Sequence, residues 1–344
     1  MDNKKKPSWK RGILISLCVI LSLILVLMIF AAVFMNRLFG SINRVQNQQT
    51  LSSSELAELQ KPEETRGEDY TGPEYNADDI TMPTEDAEVI ENEKIVNILL
   101  LGQDRRGGTK NSLTDVMLLC SINKETKTLT MTSFLRDLYL KIPGHYRSDK
   151  LNVAYPVGGF KMINDALEVN FGVKVDGNVE VDFSQFAKII DLLGGVDIHL
   201  TGAEAAYMNG SGFWVQSGMN HLNGDEALLY SRIRYIDSDF SRTNRQRNVV
   251  TAILNQFKNA SLGQITDTLT GVLGMITTNM TDAEIMSYAL EFAPLLKGLT
   301  IESQHIPVEG TYYYGDVKDQ NIVDCIFIED FEANRQLIAD IYKD

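Results

Sequence analysis

The decapeptide SDFSRTNRQR, residues 238–247, gathers three arginines in a chain whose formal net charge is −14. If a helix starts near the beginning of this segment, Arg242, Arg245 and Gln246 share one helix face. The N-terminus of such a helix adds free backbone N–H groups and the positive end of the helix dipole. The segment therefore has the donor chemistry of a phosphate site, although arginines paired with neighbouring aspartates would have the same spacing.

Two more arginines, Arg232 and Arg234, lie just upstream in YSRIRYI. Residues two apart diverge by about 200° on a helix but project to the same side of an extended segment. We therefore expect the preceding helix to end near Tyr230 and the chain to run extended beyond it. The guanidiniums could then converge, and because each is a fork of donors that suits phosphate, a pyrophosphate is an obvious ligand.

Carboxylates supply the second half of a phosphate-transfer site. Asp104 follows the apolar run IVNILLL in a glycine-containing loop, and Asp115 starts the next apolar run. The sheets of α/β proteins bind their ligands at strand ends of this kind. Two such carboxylates could share one Mg²⁺, which keeps waters and takes substrate phosphate oxygens as further ligands. The segment SFLRDLYL places Arg136 and Asp137 at the end of a third strand.

The elements that must position these residues alternate between strands and helices. Strands are predicted over 95–101, 115–122, 128–134, 178–183 and 196–200, with a polar hairpin turn, NKETK, between the second and the third. Helices are predicted over 159–171, 183–195, 223–233, from Ser241 or Thr243 to Phe257, twice within 261–297, and over 333–342. This mixture indicates a layered α/β domain.

The N-terminal region predicts a membrane anchor. Gly12 to Met35 is uncharged and long enough to span a bilayer, and the basic residues concentrate on its N-terminal side. We therefore expect a cytoplasmic basic tail (1–11), a single transmembrane helix (12–35) and an extracytoplasmic remainder. A cleaved signal peptide is the competing interpretation, but its apolar region would be shorter.

Composition separates a spacer from the globular part. Residues 55–93 carry fourteen acidic side chains against two basic ones and lack sustained apolar periodicity. We expect residues 36–93 to form an acidic extracytoplasmic spacer and residues 94–344 to form the catalytic domain. Residues 94–344 are mildly acidic and carry no excess of basic residues, which argues against nucleic-acid binding. Cys120 and Cys325 could form a disulfide or remain two buried thiols.

The motifs also resemble a known family. LLLGQDRR, TDVMLLCSI, SFLRDLYL, DKLNVAY, VEVDFSQFAKIIDLLGGVDI, LNGDEALLYSRIRY and SDFSRTNRQ occur in the order of the blocks of the LytR–CpsA–Psr family. The resemblance covers residues 94–260 and is looser beyond them. It implies an α/β/α sandwich around a mixed central sheet, preceded by the transmembrane helix.

The function that this resemblance implies is a Mg²⁺-dependent ligase of cell-wall glycopolymers. Such a membrane-bound phosphotransferase takes a teichoic acid, capsule or similar polymer from a polyprenyl-pyrophosphate carrier and attaches it to peptidoglycan. A pyrophosphatase acting on the same lipid, or a non-catalytic polyprenyl-phosphate-binding regulator, would be compatible with the same residues.

The resemblance implies a role for each candidate residue. Asp104 and Asp115 are expected to bind the metal. The pyrophosphate is expected to contact Arg106, Lys150, Arg232, Arg234, Arg242, Arg245 and Gln246. Catalytic roles are expected for Asp115, Arg136, Asp137 and Arg242. Either aspartate could help to deprotonate the attacking hydroxyl, or Asp137 could instead hold Arg136 in an ion pair.

Overall fold

The computed structural model describes residues 39–40, 42–44, 52, 54–56, 72–105, 112–234, 236–258, 268 and 271–343. The cytoplasmic tail and the membrane span predicted over 12–35 lie outside these residues. Within the described part of the chain, no helix combines the length and the apolar character needed to cross a bilayer.

Strands and helices alternate along most of the described chain. The strands are β1 (Asn43–Arg44), β2 (Glu74–Tyr75), β3 (Ile95–Gln103), β4 (Thr114–Asn123), β5 (Thr128–Phe134), β6 (Tyr139–Leu140), β7 (Asp149–Lys150), β8 (Gly177–Asp182), β9 (Val196–Leu200), β10 (Gly218–Leu222), β11 (Ile276–Thr278), β12 (Thr300–Ile306), β13 (Tyr312–Val317) and β14 (Ile322–Ile328). The α-helices are α1 (Ala154–Phe171), α2 (Phe183–Leu192), α3 (Gly202–Gly210), α4 (Gly224–Arg232), α5 (Asp239–Phe257), α6 (Asp282–Phe292) and α7 (Phe331–Asp340).

The central sheet is mixed, with its strands in the order β1-β11-β8-β3-β4-β5-β12. β3 runs parallel to β8 and antiparallel to β4. β5 runs antiparallel to β4 and parallel to β12. The carboxyl ends of β3, β5, β8 and β12 therefore meet at one edge of the sheet, where β4 begins.

Helices cover both faces of this sheet because successive side chains of a strand point to opposite faces. Leu99 and Leu101 of β3 belong to a buried cluster with residues of α1 and α7. Leu118 and Met131 belong to a cluster on the other face, against which Val250 of α5 packs. The predicted α/β/α sandwich around a mixed sheet is what the structure shows.

Most element predictions are confirmed with small boundary changes. β3, β4, β5 and β8 form where strands are expected, and α1 continues as predicted after a kink at Gly159, whose φ is 70°. Asp182 caps α2 by accepting a hydrogen bond from the N–H of Ser184. Helix α5 starts earlier than predicted, because Ser238 is its N-cap.

Other elements differ from the prediction. β9 forms as expected, but it pairs with β10 in a separate two-stranded sheet instead of joining the central one. Strands β12, β13 and β14 were not predicted, and β11 lies within 261–297, where two helices were expected and α6 is one. The other helix of that pair falls mostly outside the described residues.

The acidic stretch is not a spacer over its whole length. β2 pairs with β13, and Ile80 is buried beside Val317 and Phe327. The N–H of Ala87 also donates to the carbonyl oxygen of Val169 at 2.8 Å. The predicted boundary at residue 94 is therefore too late, and the folded domain includes residues 72–93. Isolated apolar residues in an acidic stretch lack the periodicity that would have indicated this.

The two cysteines of the folded domain are free and buried. Cys120 lies among residues of the central sheet, whereas Cys325 lies in the cluster with Val317 and Phe327. Burial raises the pKa of each thiol to about 12. The interpretation as two buried thiols is confirmed, and the alternative of a disulfide is wrong.

Candidate functional site

The edge of the sheet where four strands end brings the predicted site residues together. β3 leads directly into Asp104, β5 leads into Leu135 and Arg136, and β8 leads into Phe183. A pocket of about 330 Å³ opens at this edge. Its lining comprises Asp104, Asp115, Arg136, Phe183, Tyr207, Leu229, Ser231, Arg232, Arg234, Arg242 and Gln246. Four guanidiniums thus face two carboxylates, which makes the pocket a site for an anion.

Asp115 reaches the pocket through an irregularity in the sheet. Gly102 pairs with Val116 and Gln103 pairs with Thr114, so Asp115 is the extra residue of a β-bulge. Bulges re-aim side chains in this way beside functional sites. A Cβ atom on residue 102 would lie 2.9 Å from Val116 Cβ, so only glycine permits this close pairing.

Arg232 and Arg234 converge on the two aspartates. Arg232 is the last residue of α4, so it is helical where the chain was expected to be extended beyond Tyr230, and Ile233 is already non-helical. Arg232 Nη2 lies 3.1 Å from Asp104 Oδ2. Arg234 Nη2 lies 3.7 Å from Asp115 Oδ1. The expectation that the two arginines face the same region is confirmed.

Arg136 forms ion pairs with two carboxylates. Its Nη1 donates to Asp115 Oδ1 at 2.6 Å, and its Nε donates to Asp137 Oδ2 at 3.1 Å. Burial would lower the pKa of Arg136, but Asp137 and Asp115 outweigh that effect and raise it. This guanidinium is therefore charged and held in place between two strand-end carboxylates.

Arg242 and Gln246 enter the pocket from α5, one turn apart. The Arg242 side chain is 5% exposed, and its Nη1 lies 3.1 Å from Asp239 Oδ1. Its Nε and Nη1 atoms make no hydrogen bond to any part of the chain that the structure describes. Burial, together with Arg136 and Arg234, lowers the pKa of Arg242 despite the nearby Asp239. A bound anion would relieve this shortage of negative charge.

Arg245 is placed away from the pocket. Its Nε donates to Glu204 Oε1 at 2.7 Å, its Nη1 donates to the carbonyl oxygen of Ile233, and its Nη2 bonds Asp237. The side chain is buried, and each of its three nitrogen atoms donates to one of these partners. The inclusion of Arg245 among pyrophosphate-binding residues is therefore corrected: it ties α5 to α3 and to the segment before α5.

Asp137 and Lys150 form a buried pair behind the pocket rather than in it. Lys150 Nζ lies 2.9 Å from Asp137 Oδ1, and the second oxygen of Asp137 accepts from Arg136. Burial would raise the pKa of Asp137, but Lys150 and Arg136 outweigh that effect and lower it. Neither residue lines the pocket, so the geometry favours the ion-pair role for Asp137 over a role as base.

One residue that the sequence analysis did not single out, Arg105, anchors the loop beside Asp104. Its Nη2 lies 2.8 Å from Glu180 Oε1, its side chain also bonds Gln103, and its N–H donates to Asp182. Arg106 lies outside the described residues. Phe183 was also missed as a site residue, and Arg232 stacks over its ring at 5.1 Å from the centroid.

The donor set of the pocket fits a magnesium ion that is shared with a substrate. Asp104 and Asp115 both line the pocket, and Mg²⁺ is usually bound by one or two carboxylates together with substrate phosphates and water. No cluster of three or more acidic, histidine or cysteine side chains among the described residues is placed to enclose a metal. The two aspartates therefore suit a substrate-bridged ion better than a closed structural one.

Comparison with known proteins gives consistent results. The chain matches the LytR_cpsA_psr family model over residues 44–325. The polyisoprenyl-teichoic acid–peptidoglycan teichoic acid transferase TagU of Bacillus licheniformis is 33% identical over 231 residues, or 65% of this chain and 74% of that protein. TagU of Bacillus mycoides is 30% identical over 272 residues, or 74% of this chain and 87% of that protein.

Solved structures share the fold. A Streptococcus agalactiae protein superposes with a TM-score of 0.61 at 25% identity, covering 73% of this chain and 89% of its own. The crystal structure of TagU from B. subtilis superposes with a TM-score of 0.54 at 26% identity, covering 73% of this chain and 98% of its own. Because the family match spans most of the sequence and includes every pocket residue, the chain belongs to the LytR_cpsA_psr family.

Proposed function

We propose that this chain is a membrane-anchored transferase that moves a glycopolymer from a polyprenyl-pyrophosphate carrier to peptidoglycan and forms a phosphodiester. The observation that carries the proposal is the pocket in which four arginines surround two strand-end aspartates. The TagU relatives, which are named as teichoic acid transferases acting on peptidoglycan, support the choice of polymer and acceptor.

The arginines would bind the diphosphate of the donor. Arg242 has the strongest need for an anion, because it is buried and two of its nitrogen atoms have no hydrogen-bond partner in the described chain. Arg232 and Arg234 reach the same pocket from the end of α4, and Gln246 adds a neutral amide. Guanidiniums in a pocket sheltered from water stabilise the charge that develops on phosphoryl oxygens during transfer.

Asp104 and Asp115 would hold Mg²⁺ together with the donor phosphates. When bound, this ion would supply charge neutralisation at the phosphoryl oxygens and orient the phosphate that leaves. Both aspartates are paired with arginines in the structure. Arg136 and Arg232 would turn toward the donor phosphates once Asp115 and Asp104 bind the metal ion.

The transfer step breaks one phosphorus–oxygen bond and forms another. A sugar hydroxyl of peptidoglycan attacks the sugar-linked phosphorus, and polyprenyl phosphate leaves with the electrons of the bridging bond. Of the two candidate bases, Asp115 lines the pocket and Asp137 does not, so Asp115 would accept the hydroxyl proton. Positioning and charge stabilisation contribute most to such a reaction.

The location of the protein follows from the predicted anchor. Residues 12–35 would span the cell membrane once, with the N-terminus in the cytoplasm and the transferase domain outside. The pocket would then lie on the side of the membrane where peptidoglycan is assembled.

The test is a reconstitution of the full chain in detergent with a lipid-linked glycopolymer and peptidoglycan fragments. We expect polyprenyl phosphate to be released together with transfer of glycan to the fragments. Chelation of divalent cations should abolish both products, and added Mg²⁺ should restore them. Release of polyprenyl phosphate without glycan transfer would instead identify a pyrophosphatase, and donor binding without turnover would identify a non-catalytic lipid-binding protein.

A further inference from the structure

The C-terminal hairpin formed by β13 and β14 lies beside the pocket. β12 runs parallel to β5 and ends at the same edge of the sheet, so the chain enters the hairpin next to the site. The N–H of Ile326 in β14 donates to the carbonyl oxygen of Asp137 at 2.8 Å. Tyr314 of β13 is the direct cross-strand partner of Ile326. Tyr314 is thereby placed one strand away from the Arg136–Asp137 segment.

Three aromatic side chains form a continuous surface at this position, which we call the aromatic ledge (Phe240, Tyr312 and Tyr314). The ring centroids of Phe240 and Tyr312 are 5.4 Å apart, and those of Tyr312 and Tyr314 are 5.6 Å apart. Phe240 belongs to the first turn of α5, the helix that carries Arg242. Alternation along β13 sends Tyr313 to the opposite side, where it packs against Phe327.

The ledge is only partly covered, unlike the tyrosines of the core. Tyr314 is 48% exposed, whereas Tyr139 and Tyr230 are buried. Burial, the neighbouring Tyr312, to which the Tyr314 hydroxyl is hydrogen-bonded, and the Asp239 carboxylate all raise the pKa of Tyr314, so the phenol is neutral and its oxygen can accept a hydrogen bond from a sugar hydroxyl. Asp239 immediately precedes Phe240 of the ledge and forms an ion pair with Arg242 of the pocket, so this carboxylate adjoins both.

We propose that the aromatic ledge, with the Asp239 carboxylate, binds a pyranose ring of a glycan next to the transferred phosphate. Aromatic faces carry negative charge density and an apolar surface, which complements the C–H groups of a sugar ring, while carboxylate and phenol groups hydrogen-bond its hydroxyls. A polyprenyl chain would gain little at the Tyr314 ring, which is 48% exposed and close to a carboxylate. The sugar could belong to the donor, beside its diphosphate, or to the acceptor, and the chemistry is the same.

This proposal rests on the proposed function only for the reaction in which the ledge takes part. The experiment therefore measures glycan transfer and sugar binding separately. Full chain in detergent is compared with Tyr314→Ala, with Tyr314→Phe, which keeps the ring, and with Tyr146→Ala. Tyr146 is a matched control because it is 69% exposed and contacts His145 and Arg147 instead of the residues of the ledge. Thermal unfolding establishes that each variant is folded.

In the transfer assay, we expect Tyr314→Ala to raise KM about tenfold, the loss expected for one aromatic contact with a ligand. Tyr314→Phe should recover most of this loss, and Tyr146→Ala should match the unaltered chain. A higher KM for the lipid-linked donor assigns the sugar to the donor, and a higher KM for peptidoglycan fragments assigns it to the acceptor. Folded Tyr314→Ala with both KM values within twofold of the unaltered chain overturns the proposal.

Binding is measured by saturation-transfer NMR with soluble peptidoglycan glycan-strand fragments and with polymer repeat units released from the lipid. We expect sugar-ring protons to receive saturation from the unaltered chain and to lose most of it with Tyr314→Ala. If the unaltered chain transfers nothing, the proposed function fails while this sugar signal still supports the ledge. Equal signals for the two proteins, or none with either ligand, overturn the ledge whatever the transfer assay shows.

Discussion

At the scale of single residues, Arg242 and Arg245 show how two equally buried arginines acquire different roles. Burial would lower the pKa of Arg245, but Asp237 and Glu204 outweigh it and raise that pKa. The pKa of Arg242 is lowered, because burial and two neighbouring arginines outweigh the carboxylates of Asp239 and Asp115. Arg245 therefore holds structural elements together, whereas Arg242 is a cation that is available to bind an anionic ligand.

The prediction for Arg242 is that its removal stabilises the free protein while it damages function. In Arg242→Met, loss of the buried and incompletely bonded charge should raise the free energy of unfolding by about 1–3 kcal/mol. Turnover of the lipid-linked donor should fall by about 10²–10³-fold, as when a donor that stabilises a transition state is removed. Chemical denaturation and the transfer assay provide the two measurements.

Arg245→Met serves as the matched control. Its removal leaves Glu204 and Asp237 without their shared cation, so unfolding free energy should fall by about 3–5 kcal/mol. Equal destabilisation in both variants would show that Arg242 is a structural arginine like its neighbour.

Asp137 leads to a prediction about acid stability. Lys150 and Arg136 lower its pKa in the folded state despite burial, so its contribution to stability is complete above the ordinary carboxyl pKa of about 4. That contribution is lost as pH falls through the lowered pKa. Asp137→Asn should therefore lose about 3–5 kcal/mol of unfolding free energy at pH 7 and should show a flatter decline of stability below pH 4.

The control for Asp137 is Asp86→Asn, which breaks an exposed ion pair with Lys141. Exposed pairs contribute at most about 1 kcal/mol, so this variant should follow the unaltered chain at every pH. Urea titrations at several pH values test both expectations, and parallel pH profiles for Asp137→Asn and the unaltered chain would contradict the first.

At the scale of elements, the packing of α4 against α2 sets the position of Arg232. Gly224, the first residue of α4, lies so close to α2 that a Cβ atom there would collide with the backbone carbonyl of Ala187. The N–H of Gly224 also donates to Asp191 Oδ1 at 2.8 Å. The start of α4 is thus pinned to α2, and its last residue delivers a guanidinium to Asp104.

Gly224→Ala should push α4 away from α2 because the obstructing atoms are backbone. We expect a loss of about 1–3 kcal/mol in unfolding free energy, the usual cost of overpacking, together with a rise in KM for the lipid-linked donor as Arg232 moves. Gly202→Ala is the matched control, since Gly202 is the first residue of α3 and has open space around it. If Gly224→Ala lowers the unfolding temperature no more than Gly202→Ala does, the close approach of α4 to α2 is contradicted.

At the scale of the whole molecule, the folded unit begins before the first strand of the central α/β layers. β2 adds a third strand to the C-terminal hairpin, and Ile80 fills the cluster beneath it. Residues before the central sheet therefore help to support the hairpin that carries the aromatic ledge.

The corresponding prediction concerns two truncated chains. A chain that starts at residue 72 should be more stable than one that starts at residue 94 by at least about 2 kcal/mol. The shorter chain lacks Ile80 and exposes the apolar side chains, such as Val317 and Phe327, that Ile80 covers. Thermal and urea unfolding of the two proteins provide the comparison. Identical stability would show that residues 72–93 are a spacer after all.

Much of the architecture could be predicted from local patterns. The apolar runs of β3, β4 and β5 and the helical patterns of α1, α2 and α5 are properties of short segments, and each element appears close to where it was expected. The chemical character of the site could also be predicted, since Asp104, Asp115, Arg136, Arg232, Arg234, Arg242 and Gln246 all line one pocket.

Tertiary packing decided the rest, because those features depend on contacts between segments far apart in the chain. Arg245 and Gln246 both lie within one turn of Arg242, but the neighbouring elements decide that one faces Glu204 and the other the pocket. The bulge at Asp115 exists only in its pairing with β3. Tyr314 likewise comes beside Asp137 only through β14, which joins segments almost two hundred residues apart.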